Sequence, residues 1–132
     1  MTNKEKLIFG QRNKDLCAEL HKQGKYYDWV VTTAFYSAIH YIEGKILPTK
    51  VNNKQCANIF EVKDALAVDG RHQARSRLVH KCSKNFQIAA AYDWLDEQSR
   101  NSRYKTYKVN KNIADKAVYY LNLIADYCSV NA

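Results

Sequence analysis

An all-α fold, an antiparallel helical bundle of four to five helices, is the expectation for this 132-residue chain, and two features carry it. Glycine and proline are scarce, four and one, whereas all-β folds need turn residues at every hairpin. Apolar residues instead recur three and four positions apart in segments bounded by capping residues. The length suits one domain, so residues 1–132 read as a single helical unit that buries roughly two thirds of its unfolded surface.

Thr2 followed by Glu5 forms a capping box for a first helix, along which Leu7, Ile8, Leu16, Cys17 and Leu20 are apolar, and Gly24 ends it. The second helix, Tyr26 to Leu47, places Val31, Ala34, Phe35, Ala38, Ile42 and Ile46 on one face. Val30, Ile39 and Tyr41 widen that face, so the helix is predicted to be central and mostly buried. Pro48 closes it, and Thr49 to Gln55 reads as a loop. A short helical segment from Asn58 to Val68 ends at Asp69-Gly70, a pair that can also cap the next helix, Arg71 to Lys81. Phe86 to Gln98 is predicted helical, with Ile88, Tyr92 and Leu95 on one stripe. Asn110 caps a final helix whose core face is Ala114, Ala117, Val118, Leu121, Ile124 and Ala125.

Four dispersed glycines cannot build a dinucleotide fingerprint, a Walker loop or a nucleophile elbow, which excludes those three classes. The four cysteines show no C-x-x-C spacing, and free thiols in a reducing compartment are the expectation. Cys17 and His21 stand one helical turn apart, but no second pair accompanies them, so no metal and no cofactor is assigned. With a polar start and no apolar run of ~20 residues, the chain reads as a cytoplasmic protein with no membrane association.

The net charge of +8 favours an anionic partner. Between Gly70 and Tyr92 there is no acid, yet Arg71, Arg75, Arg77, Lys81 and Lys84 stand there beside His72 and His80. A second acid-free run, Gln98 to Ala114, carries Arg100, Arg103, Lys105, Lys108 and Lys111 interleaved with Tyr104 and Tyr107, a mixture suited to phosphates and unpaired bases. Either run alone also suits a solvated helix face. The two together point to an RNA-facing surface.

The first run holds both kinds of group that metal-free RNA cleavage needs. A histidine takes the proton of the ribose 2′-OH or gives one to the leaving 5′ oxygen, and a guanidinium clamps the phosphate through paired N–H donors. Arg75 is the candidate clamp and His80 the candidate acid or base. Five helical residues turn the chain by about 500°, which leaves these two roughly 140° apart, whereas His72 and Arg75 are helix neighbours. As ordinary helix residues, His80 would be partly buried and His72 would sit at a helix start near Asp69.

The segment Asp28-Trp29-Val30-Val31-Thr32-Thr33-Ala34-Phe35-Tyr36-Ser37-Ala38-Ile39-His40-Tyr41 resembles the signature helix of the HEPN superfamily, named for higher eukaryotes and prokaryotes nucleotide-binding. Arg75 and His80 match its R-x4-6-H motif, and Ser99-Arg100-Asn101-Ser102-Arg103-Tyr104 is similar to the S-R-x-x-R-Y stretch of one bacterial group. The resemblance covers about Tyr26 to Tyr127. It implies a helical bundle, a homodimer, and a metal-independent endoribonuclease acting as a toxin or defence-system subunit, with an antitoxin as a further partner. Motifs from two protomers would then share one cleft, which eases the angular separation of Arg75 and His80. In that frame Ser76, standing where many active members carry Asn, Asp or His, supports the motif with His72. Arg71, Arg77, Lys81, Arg100, Arg103 and Tyr104 hold RNA, and Tyr36 and His40 border the cleft. Other members lack the activity and bind RNA or nucleotide, or partner a nucleotidyltransferase, and that alternative stays open here, as does a helical scaffold in a larger complex.

Overall fold

The computed structural model describes residues 2–104 and 108–130, the side chains of Tyr104 and Val130 excepted. The chain is an all-α helical bundle with six helices and one two-stranded hairpin among those residues. Helix α1 (Asn3–Gln23) begins with the expected capping box, in which the Glu5 N–H donates to Thr2 Oγ1 and the Thr2 N–H to Glu5 Oε2, both at 3.1 Å. It ends at Gly24, whose φ of 70° is the left-handed cap geometry that glycine adopts without strain.

Helix α2 (Tyr27–Ile46) is the centre of the bundle and packs against α1 and three later helices. Its pairing with α1 is antiparallel: Gly10 faces the Tyr41 ring, Leu7 faces Gly44, and Cys17 Sγ donates to the Val30 carbonyl at 3.4 Å. The approach is close enough that a Cβ on Gly10 would lie 3.0 Å from Tyr41 Cδ2. Ser37 Oγ fills the same seam by donating to the Gly10 carbonyl at 2.6 Å.

The stretch expected as a loop after Pro48 is instead a hairpin, β1 (Thr49–Val51) and β2 (Lys54–Cys56), with Thr49 opposite Cys56 and Val51 opposite Lys54. Its turn is Asn52-Asn53 with φ of 49° and 66°, the two positive values that a tight two-residue hairpin turn requires and that asparagine tolerates. Three-residue strands are too short to show alternation. Helix α3 (Ile59–Leu66) is capped by Asn58 Oδ1, which accepts from the Glu61 N–H at 3.0 Å.

Helix α4 (Arg71–Cys82) starts at Gly70 in extended conformation, with no side-chain cap bond. Helix α5 (Phe86–Tyr104) runs six residues past the predicted end at Gln98. Its last turns are held by small hydroxyls: Ser99 and Ser102 are buried, Ser102 Oγ donates to the Ser99 carbonyl at 3.0 Å, and Thr32 Oγ1 lies 3.3 Å from Ser102 Oγ. Helix α6 (Lys111–Val130) begins where Asn110 Oδ1 accepts from the Ile113 N–H at 2.9 Å.

Two apolar clusters result. The larger joins α1, α2, α5 and α6 around Phe35, Tyr41, Ile42, Tyr92, Leu95, Leu121 and Ile124. The smaller joins the hairpin, α3 and α4 around Leu47, Val51, Ile59, Val62, Ala74 and Leu78. Helix α4 belongs to both, since its Val79 sits in the larger cluster. Among the described residues no helix is long and apolar enough to cross a membrane.

Candidate functional site

Helix α4 lies between the two clusters, and its register divides the motif side chains between an inner and an outer side. Arg75 turns inward and is 6% exposed. Its Nε donates to Glu43 Oε2 at 2.5 Å, and Lys6 Nζ approaches the other oxygen of Glu43 at 3.6 Å. The phosphate clamp expected of Arg75 is therefore turned to Glu43 within the single chain. The apolar environment favours this pairing, because either charge alone would be buried without compensation.

Arg75 also fixes a histidine. Its Nη1 lies 3.3 Å from His72 Nδ1, and since a guanidinium can only donate, Nδ1 accepts and the imidazole proton stays on Nε2. The ring packs on Phe35 with centroids 5.4 Å apart. Burial holds the His72 pKa below its ordinary value; Asp96 pulls it up, while Arg75, Arg103 and Arg100 push it further down. His72 is thus a neutral donor at neutral pH.

His80 points the other way, to α5. Its Nε2 is 2.7 Å from Asp93 Oδ2, while Ser76 Oγ donates to Asp93 Oδ1 at 2.6 Å. A carboxylate accepts only, so Nε2–H donates to Asp93 and Nδ1 is the ring nitrogen that the pair leaves uncommitted. The side chains of His80 and Asp93 are 43% and 44% exposed, which leaves the pair open to solvent. The angular separation of Arg75 and His80 anticipated from the spacing is therefore present: one faces Glu43, the other Asp93.

Between α4 and α5 opens a cleft of about 480 Å³, lined by His72, Gln73 and Ser76 on one wall and Asp93, Asp96, Glu97 and Arg100 on the other. Arg100 pairs with Asp96 at 3.4 Å. Arg71 is exposed with its guanidinium over the Phe60 ring at 5.3 Å, and Arg77 and Lys81 are exposed on the outer face of α4. Arg103 donates from Nη1 to the Tyr36 hydroxyl at 2.6 Å and lies over that ring at 5.4 Å. His40 stacks on Phe9 at 5.7 Å rather than joining this cleft. Burial lowers its pKa; Glu43 raises it, and Arg75 and Lys6 lower it further. The Tyr104 side chain lies outside the described residues, as do Lys105 and Tyr107.

Neither Asp93 nor Glu43 is marked as a site residue by any motif in the sequence. Their partners are 13 and 32 residues away on other helices, beyond any spacing rule, although a lone Glu43 after the uncharged run Trp29 to Ile42 was a visible signal. The Cys17 and His21 pair is accounted for locally: Cys17 bonds the Val30 carbonyl, and His21 Nε2 sits 2.6 Å from Asp115 Oδ1. Among the described residues no group of three or more His, Cys, Asp or Glu side chains gathers as metal ligands would. No family model matches the chain, and no curated protein matches it as a relative.

Proposed function

We propose that this protein is a metal-independent endoribonuclease of the HEPN type, a toxin or defence subunit that works as a homodimer in the cytoplasm. The observation that carries the reading is the exposed His80–Asp93 pair at the α4–α5 cleft, on a helix whose Arg77 and Lys81 are also exposed. His80 Nδ1 takes the ribose 2′-OH proton, the 2′ oxygen attacks phosphorus, and the bond from phosphorus to the 5′ oxygen breaks. The products are a cyclic phosphate and a 5′-hydroxyl, the latter protonated by the second protomer's copy of the same histidine. Asp93 orients His80, Arg75 orients His72, and the His72 Nε2–H supplies a neutral hydrogen bond to the phosphoryl oxygen. Arg71, Arg77, Lys81 and Arg100 hold the backbone phosphates, which makes binding salt-dependent.

A second reading is favoured by the buried pairing of Arg75 with Glu43: a non-catalytic module that binds RNA or nucleotide, or docks a nucleotidyltransferase. One experiment separates them. Purified protein is incubated with total RNA and a folded tRNA in chelator, wild type beside His80→Ala and Asp93→Asn. Cleavage by wild type that fails in His80→Ala supports the ribonuclease, and intact RNA throughout supports the binding module.

A further inference from the structure

A second, smaller recess opens on the far half of α5, away from His80. Its volume is about 210 Å³, and it is lined by Asp28, Trp29 and Thr32 from α2 and by Ser102 and Arg103 from α5. That is below the roughly 300 Å³ at which pockets for drug-sized ligands begin, so it suits one flat ring system rather than a larger molecule.

Three features make it more than a dent between helices. Trp29 is 56% exposed although α2 is otherwise the most buried helix, so an indole face is presented to solvent at the rim. The hydroxyls at the floor are already satisfied, Thr32 by the Asp28 carbonyl at 3.0 Å and Ser102 by the Ser99 carbonyl at 3.0 Å, which leaves a small, self-contained surface. The polar groups at its edge are the Asp28 carboxylate, which forms no hydrogen bond or ion pair with a described residue, and the Arg103 guanidinium, which donates to the Tyr36 hydroxyl.

We infer that this recess binds a guanine base of the RNA, with Trp29 stacking on the ring, Asp28 accepting from its Watson–Crick edge and Arg103 facing its O6 and N7. The chemistry selects the base. A carboxylate has two acceptors and no donor, and guanine is the base that offers two adjacent donors, N1–H and the N2 amine, on one edge. Its other edge carries the O6 and N7 acceptors that a guanidinium recognises. Adenine, cytosine and uracil each set at least one ring acceptor or carbonyl against the carboxylate. Stacking on an aromatic side chain adds roughly 1–3 kcal/mol per base without choosing among bases, so the discrimination rests with Asp28 and Arg103.

Position along α5 ties the recess to the proposed chemistry. Arg103 is ten residues beyond Asp93, which is ~15 Å along the helix axis. Asp96, Glu97 and Arg100 of the α4–α5 cleft lie between them. The adjoining cleft on the other side shares Asp28 and is lined by Lys25 and Lys108, where the sugar-phosphate chain continues. The inference rests on the ribonuclease reading for the polymer that carries the base, and it has its own readout.

The test is quenching of tryptophan emission in the full chain by guanosine, adenosine, cytidine and uridine monophosphates and by the trinucleotides UUG and UUU. Guanosine monophosphate is expected to bind at least tenfold more tightly than the other three, and UUG more tightly than UUU. Asp28→Asn is expected to remove the preference, and Trp29→Ala to abolish the quenching. Trp94, packed edge-on against Tyr120 at 5.1 Å, remains as an internal reference. Inosine monophosphate, which lacks the N2 amine, is expected to fall between guanosine and the rest. Equal binding of all four nucleotides, or quenching that survives Trp29→Ala, overturns the assignment. Binding of the free nucleotide with no gain for UUG over UUU overturns its assignment to RNA. Guanine-selective quenching by a protein that leaves RNA uncut keeps the recess and removes the ribonuclease.

Discussion

Arg75 and Glu43, 32 residues apart, meet through Nε and Oε2 at 2.5 Å with side chains only 8% and 12% exposed. Removing one member leaves the other buried, and such losses cost roughly 3–5 kcal/mol. Arg75→Ala is expected at the lower end, near 3 kcal/mol, because Lys6 stays close to Glu43. Urea unfolding followed by circular dichroism measures it. Arg75→Met combined with Glu43→Met is expected to recover most of the loss, since the pair is then replaced by apolar volume.

The surface pair behaves differently. His80 and Asp93 are both more than two-fifths exposed, where an ion pair contributes under about 1 kcal/mol. His80→Ala is therefore expected to fold with an unchanged unfolding midpoint while RNA cleavage falls by about 10²–10⁴-fold, the usual worth of a general acid or base. Asp93→Asn is expected to lose less, since it disturbs the orientation of His80 and not its presence. Normal cleavage by His80→Ala, with loss on changing His72, would move the chemistry to the other histidine.

Lowered pKa values at His72 and His40 predict acid sensitivity above the range of carboxylate titration. In both cases burial favours the neutral ring, so the unfolded chain binds more protons than the folded one once the pH drops below the free imidazole value near 6.5. Stability is full above that value and declines as the pH falls through it towards the lower folded values. Melting temperatures between pH 7 and pH 5 should fall, and the fall should shrink in a His40→Gln, His72→Gln double variant.

Close approach of α1 to α2 makes Gly10 sensitive to a single methyl group. Alanine gains up to about 1 kcal/mol of helix propensity there, but its Cβ would press on the Tyr41 ring, whose hydroxyl is held by Gln11 at 3.0 Å. Overpacking costs roughly 1–3 kcal/mol, so a net loss of about 1 kcal/mol is expected for Gly10→Ala. A melting curve of the variant checks the sign.

The four cysteines are free thiols, and burial raises Cys17 to about 11 and Cys128 to about 12. At pH 8 the folded protein should react with a thiol reagent at Cys82, the half-buried one, and at the others only after denaturant is added.

Sequence periodicity located each helix because the apolar side chains that define it, such as Val31, Phe35, Ala38 and Ile42, are also the ones it buries. It failed where burial is made by hydroxyls: Ser99 and Ser102 carry no apolar signal, so the end of α5 was read six residues short. At the candidate site the cations were legible and their partners were not. Arg75, His72, Ser76 and His80 share one short helix, whereas Glu43 and Asp93 reach them from α2 and α5. The exposed Trp29 carries the same apolar signal as its buried neighbours Val30 and Val31, since periodicity alone does not tell an inward ring from an outward one.

Helix α4 is shared by two apolar clusters, which makes the minor cluster a thermodynamic brace for a proposed site it does not touch. Ala74 and Leu78 are clasped by the hairpin and α3, while Val79 faces the main bundle. Sub-global opening of residues 49–66 would strip one side of α4 and loosen Arg75 from Glu43 and His80 from Asp93 together. The geometry of the motif is thereby linked to the folding of a segment that supplies none of its residues, and a substitution as remote as Val51 or Ile59 is expected to loosen both pairs by changing how often their helix is in place.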